Sequence, residues 1–326
     1  MISFPVYQPM YSFSTCWNSY RHEDGGEMLR EIADLGFDYA ELSHGIRVSL
    51  LPGILDAVDS GVIKVSTLHN FCPLPMGINH AAPNIYQFSS QDRREREYAL
   101  KHTFKTIEFA TRVGAKLIVL HCGSMRFIKG FWANLFGDGQ EEFTDHLVQL
   151  LEEGKGGTEE FNQLVARAME NQEKFKTDAV RRSLEMINTI AAKAAEHDLL
   201  LGIENREALE EIPLDQDMGE FLDALPADTV RYWHDCGHGQ IKENIGFINH
   251  RLHVEGLSER LGGFHIHDVV FPGKDHQPPG KGMIDYAALK PFVKPEHIKV
   301  FEMNPALTSE EVLEGVAHIK SVWGAE

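Results

Sequence analysis

Seven side chains able to bind a metal or move a proton stand at the ends of short apolar runs. They are His69 in KVSTLHN, His121 in KLIVLHC, Glu204 in LLLGIEN, Asp235 and His238 in VRYWHDCGH, His265 in GGFHIHD, and Glu302 in IKVFEMN. Mixed histidine and carboxylate donors suit a divalent ion such as zinc, manganese, iron or cobalt, and without a thiolate no strong bias toward zinc arises. Glu204, Asp235 and Glu302 each follow a strongly apolar stretch. An ionised carboxylate there is heavily penalised unless a cation, an arginine or several donors meet it. A buried pair of Glu204 with Arg206, or of Asp235 with a neighbouring histidine, is the alternative to a metal at any single position. Arg206 keeps the strand parity of Glu204 and is a candidate clamp for a substrate oxygen. Glu41, near the end of YAEL, either contacts substrate or pairs with a base such as Arg47. Of the two histidines in FHIHD, His265 is expected to face the site and His267 to face away from it.

Elements must place these residues together. A run of about four to eight aliphatic, aromatic and β-branched residues, broken by Gly, Pro, Asn or Cys and followed by a helical pattern, reads as a buried parallel strand. Strands are expected over 11–15, 39–42, 64–68, 116–120, 199–204, 230–235, 263–267 and 298–302. Helices are expected over 27–35, 49–58, 93–113, 179–197, 217–225, 285–293 and 309–322. The alternation implies successive βα units, and the ligand-type residues then fall at C-terminal strand ends. In a closed parallel barrel those ends ring one mouth, so residues far apart in sequence converge. The fold expected is α/β: a single (β/α)8 TIM barrel over 1–326, with a helical insertion after strand four at about 124–178. That insertion is aromatic at Phe127, Phe131, Trp132 and Phe136, then helical and acidic, with a GKGG break at 154–157. GKGG lacks the frame and preceding strand of a phosphate loop. The long loop over 70–90 is expected to fold over the mouth.

The chain of 326 residues is 43% hydrophobic and 25% charged, the balance of a globular protein. No apolar run approaches the roughly 18 residues of a membrane span. The start, MISFPVYQPMYSF, lacks the pattern of a signal peptide, so a cytoplasmic location is expected. Four cysteines lie far apart without a CxxC pair, which argues against a disulfide framework. With 49 acidic against 31 basic residues the net charge is −18, so nucleic acid and membrane surfaces are disfavoured as partners.

The motifs HN and HC at His69 and His121, IENR, DCGH, FHIHD, HQPPGKGMID and FEMNP together resemble the xylose isomerase-like TIM barrels. That family includes sugar isomerases and epimerases and the endonuclease IV type of abasic-site nuclease. The resemblance implies one metal (manganese, zinc or cobalt) on Glu204, Asp235, His265 and Glu302, with Glu204 and Glu302 also handling protons on opposite faces of a sugar. It also implies that His238 meets a substrate hydroxyl in a one-metal enzyme. We take His69, His121, Arg206, His238, His276 and Glu41 as candidate substrate-binding residues. In the nuclease branch, positions matching His69, His121, His238 and His276 bind further zinc ions. Here Lys274 stands where that branch has the aspartate of an Asp-x-His pair, and Asp275 directly precedes His276. The expected activity is a metal-dependent isomerase or epimerase acting through an enediolate on a sugar or sugar phosphate. The alternatives are a lyase or hydrolase on a keto-sugar or glycoside, and then a nuclease. The resemblance further implies a small-molecule sugar substrate and a homo-oligomer.

Overall fold

Strands apolar on both faces need cover on both sides, and the chain provides it by closing its sheet and wrapping it in helices. The computed structural model describes residues 10–125 and 142–324; the four aromatics of the insertion named above lie outside the described residues. Its strands are β1 (Met10–Ser14), β2 (Tyr39–Leu42), β3 (Lys64–His69), β4 (Leu117–Leu120), β5 (Leu200–Glu204), β6 (Val230–Asp235), β7 (Leu261–Ile266), β8 (Asp268–Val270), β9 (Lys274–Gln277) and β10 (Ile298–Phe301). Eight of them form a closed barrel in the order β1-β10-β7-β6-β5-β4-β3-β2, every pair parallel. β8 and β9 form a separate antiparallel ribbon beyond β7. The expected strands match within two residues at each end.

Alternate residues of a barrel strand point into the lumen. One layer below the mouth the lumen is filled by Trp233, Val300 and Val119, each two residues before a ligand-type side chain. Trp233 is fully buried and is accommodated by Gly263 and Gly202 on the flanking strands. A Cβ on Gly263 would overlap the Trp233 ring and crowd the carbonyl of Ile298. The His265 ring stands edge-on to Trp233 at 5.2 Å, so the indole is the floor of the mouth.

Three differences from the sequence-based expectation concern the helices. The helix expected from 179 begins twenty residues earlier: it runs unbroken from Glu159 to Ala195, capped by the Thr158 side chain. No Gly or Pro interrupts 159–195, and the break lies instead at 153–158 around Gly154 and Gly157, both at positive φ. Two helices were not expected, Cys236–Asn244 and His250–Leu257. Glycines at 237 and 239 hide the first from a propensity reading, and Asp235 caps it by accepting from the His238 amide. The 285–293 segment is one α-turn, Tyr286–Leu289, followed by a 3-10 turn over Lys290–Phe292.

Because the lumen is close-packed around Trp233, Gly263→Ala is expected to lower stability by about 1–3 kcal/mol. Chemical denaturation of the two proteins measures it, and equal midpoints would show that the indole can move aside.

Candidate active site at the barrel mouth

The strand ends bring Glu204, Asp235, His265 and Glu302 together, with one ligand atom from each lying within 4.8 Å of the others. Register explains the closeness: Asp235 pairs with His265 across β6 and β7, and His265 with Val300 across β7 and β10. Asn205 fastens the ends of β5 and β6, donating to the Asp235 carbonyl at 2.9 Å and accepting from the Asp235 amide at 2.7 Å.

His265 is the centre of this group. Its Nδ1 lies 3.0 Å from Oε1 of Glu204 and 3.0 Å from Oε2 of Glu302, while its Nε2 lies 3.1 Å from Oε2 of Glu41. Burial opposes charge on this ring, yet Glu302, Glu41 and Glu204 overcome it and raise His265 well above the usual imidazole range. Glu41 is fully buried and also accepts from Ser14 at 2.9 Å and Thr67 at 2.8 Å. Burial pushes its carboxyl up, but His265, His69 and Thr67 bring it below the ordinary value. Glu41 therefore supports His265 from beneath. It does not pair with Arg47, which bonds the His22 carbonyl and lies beside Glu23.

Glu204 gathers the remaining cations and donors. Burial would raise it; Arg206 at 3.1 Å and the His265 ring at 3.0 Å hold it well below the carboxylate range. His121 Nε2 is 2.9 Å and His69 Nε2 3.5 Å from Glu204 Oε2. The opposite nitrogens are occupied: His69 Nδ1 donates to the Asn70 carbonyl at 2.9 Å and His121 Nδ1 to Asn84 Oδ1 at 2.7 Å. Burial, then Arg206, depress His121 to about 3, so it is neutral with its free lone pair toward Glu204. His69, His121 and Glu204 thus form a second group with metal-ligand spacing, and Glu207, His238 and Asp275 a third.

His267 faces the mouth as well, contrary to the sequence reading. Residues two apart share a face, so His265 and His267 cannot be separated by strand parity. Its Nδ1 accepts from the His276 amide at 2.9 Å, which leaves Nε2–H to donate to Asp235 at 3.1 Å. His276 adopts a left-handed φ of 53°, worth about 1–3 kcal/mol of strain, and its ring lies flat on His267 at 4.1 Å. Burial lowers the His276 pKa, but Asp275 at 2.9 Å more than reverses this and takes it up to about 9. Its side chain is 30% exposed, so solvent weakens that pair. His238 joins the group through its Nδ1, which donates to the Asn205 carbonyl at 3.0 Å.

Every candidate ligand or substrate-binding residue named from the sequence thus lies at or directly beneath one mouth. Sequence reasoning missed His44, Asn84, Asn205 and Glu211. His44 stands edge-on to His69 at 4.8 Å, its Nδ1 buried without a hydrogen bond, and it follows β2 just as the other histidines follow their strands. Asn84 comes from a long loop and carried no signal. A groove of about 520 Å³ lies elsewhere, between the long helix and Leu214 and Phe221, and contains none of these residues.

A model of the family described as the xylose isomerase-like TIM barrel matches residues 29–322. The chain belongs to that family. No curated protein matches it in sequence. Among solved structures, this xylose isomerase-like barrel is similar to a D-tagatose 3-epimerase-like protein, at 15% identity, TM-score 0.64, and coverage of 96% of this chain and 98% of the other. It is also similar to a 3-keto-D-glucoside 4-epimerase from E. coli, at 15% identity, TM-score 0.65, and coverage of 96% and 100%. A third is a D-psicose 3-epimerase from Clostridium cellulolyticum H10, at 13% identity, TM-score 0.63, and coverage of 96% and 99%. At these identities the likeness is one of fold.

The donor chemistry of this barrel fits a divalent metal. Glu41 accepts from His265 Nε2–H, which directs the Nδ1 lone pair at two carboxylates, and acceptors so close require a proton or a cation between them. Beyond these side chains, Glu210 is buried and accepts from the Phe143 amide. Burial raises its carboxyl to about 7. The folded state therefore holds a proton that the unfolded chain releases near its ordinary value, and stability falls as pH rises from about 4.5 to about 7. Glu210→Gln is expected to stabilise by about 1–3 kcal/mol at pH 8 and by nothing at pH 4. Thermal unfolding at both values measures it, and a gain of equal size at both would refute it.

Proposed function

We propose that the protein is a metal-dependent sugar isomerase or epimerase. The observation that carries the reading is the single group of Glu204, Asp235, His265 and Glu302, buried at the mouth with Glu41 fixing the histidine tautomer. The resemblance in fold to several sugar epimerases supports it. A manganese, zinc or cobalt ion would be held by those four side chains and, when bound, supplies positive charge that favours an enediolate over its ketose.

The chain's own groups do the proton work. Glu204 and Glu302 stand on β5 and just past β10, separated around the ring by β6 and β7, so they approach a bound sugar from different sides. One carboxylate oxygen takes the proton from the carbon beside the carbonyl, and the C–H electron pair becomes the C=C bond as the carbonyl pair moves to oxygen. The other glutamate, protonated, returns a proton to the opposite face as the electrons flow back. In this reading Arg206, His69, His121, His238 and His276 hold substrate oxygens, and Trp233 closes the floor against water.

Glu204→Gln and Glu302→Gln are each expected to lower turnover of the metal-loaded protein by about 10²-fold or more, measured as deuterium uptake from solvent next to the sugar carbonyl. Full activity in both variants would sink the assignment. Metal analysis of the purified protein should give at least one ion per chain. Glu41→Gln should weaken manganese binding about 10- to 100-fold by calorimetry, and unchanged affinity would remove Glu41 from its supporting role.

A further inference from the structure

Beneath the Trp233 floor, at the end of the barrel opposite the mouth, the lumen carries positive charge. Arg231 shares the strand parity of Trp233 and Asp235 on β6 and stands about 13 Å down the strand from Asp235. Its stem lies beside Leu117, and Gly262 makes room for it: a Cβ on Gly262 would lie 2.8 Å from Arg231 Cβ and 3.6 Å from Leu117 Cδ1. Arg260 comes immediately before β7 and meets Arg231 there. Arg231 Nη1 donates to the Val230 carbonyl at 3.3 Å, and Arg260 Nη2 donates to the same carbonyl at 3.1 Å. Two guanidiniums thus share one acceptor.

A chain with 49 acidic residues has carboxylates enough to separate them, yet this pair is left without one. The carboxylate that comes within 4.0 Å of either, among the described residues, is Asp223, 3.8 Å from Arg260 Nη1 and 83% exposed. So exposed a partner contributes little. Arg260 Nε is buried with no hydrogen-bond partner, although the side chain as a whole reaches solvent. Buried N–H groups ordinarily have an acceptor. Burial, then Arg231, lower the Arg260 guanidinium from its ordinary value, and an arginine stays charged even so.

We propose that this lower end of the barrel is an oxyanion site, in which one phosphoryl group bridges Arg231 and Arg260 on the face opposite the metal group. Two fixed positive charges match a dianion, and their planar forks match its oxygens, whereas a monocarboxylate neutralises only half of the pair. The bound group ties together the starts of β6 and β7, whose other ends carry Asp235 and His265. Occupancy is therefore felt as stability of the barrel, independently of what reacts at the mouth. Inorganic phosphate and the phosphoryl group of a small metabolite share this chemistry.

The test is thermal unfolding of the full-length, metal-loaded protein in phosphate, glycerol 3-phosphate, acetate or chloride at equal ionic strength, at about pH 8, where a phosphomonoester is dianionic. Saturating phosphate or phosphomonoester is expected to raise the midpoint by about 2–4 °C over chloride, and acetate to leave it where it was. Action of the monoester at the lower concentration assigns the site to a phosphorylated metabolite, and the reverse order assigns it to free phosphate. Arg231→Met and Arg260→Met, which keep the stem and remove the charge, should each abolish the shift with metal content unchanged. Where a methionine variant fails to fold, Arg260→Lys decides: it keeps the charge, loses the fork, and should raise the phosphate needed for half the shift severalfold. No shift in the wild type, an equal shift with acetate, or a shift undiminished in the arginine variants would overturn the proposal.

Discussion

Negative charge held out of water at the barrel mouth is the constraint on which the rest depends. Glu41, Glu204 and Glu302 all approach one imidazole, and each is at most 5% exposed. Carboxylates so placed are tolerable only with a cation among them. A proton on His265 is the least that suffices, and a divalent ion does the same with more charge. Other contacts in the mouth fix where that cation must go: Ser14 and Thr67 anchor Glu41, Asn205 aligns β5 with β6, and His267 points its N–H at Asp235.

The barrel converts strand parity into this arrangement. Trp233, Val300, Val119 and two glycines occupy the layer below, so the residues two positions on are lifted to the rim. The rim then sorts itself by charge. One side, over β5, β6, β7 and β10, is a compact set of oxygen and nitrogen donors. The side toward Asn84 and the 205–214 loop carries Glu207, Glu210 and Glu211, with Arg206 bound to Glu211 at 3.1 Å.

Much of this was legible in the sequence because strand ends are marked twice, by an apolar run and by what stops it. Glu204, Asp235, His265 and Glu302 were found that way, and the structure sets them side by side. His267 was misplaced because the two-residue period was applied with the wrong sign. His44 escaped because YAEL is short and weakly apolar, although SHG after it has the same form as the other strand ends. Asn84 and the carboxylate of Asp268 could not be read at all: their roles arise from loops whose paths depend on long-range packing. The helix Cys236–Asn244 was hidden for a local reason, since two glycines in its first turn lower helix propensity and the cap supplied by Asp235 compensates.

The 37-residue helix Glu159–Ala195, about 55 Å of continuous backbone, has two employments along its length. Its C-terminal half packs as a barrel wall, with Ile187, Ile190 and Ala194 buried. Toward its other end Gln172 donates to the Leu209 carbonyl and Lys176 pairs with Asp217, so it also braces the loop that carries Arg206 and Glu207. A decoration attached through ordinary loops can be trimmed by evolution or by an engineer without disturbing its host. Here one of the two attachments is the wall itself, so shortening the insertion from that end would unwind part of the barrel, and its length is free to vary only on the side before residue 159.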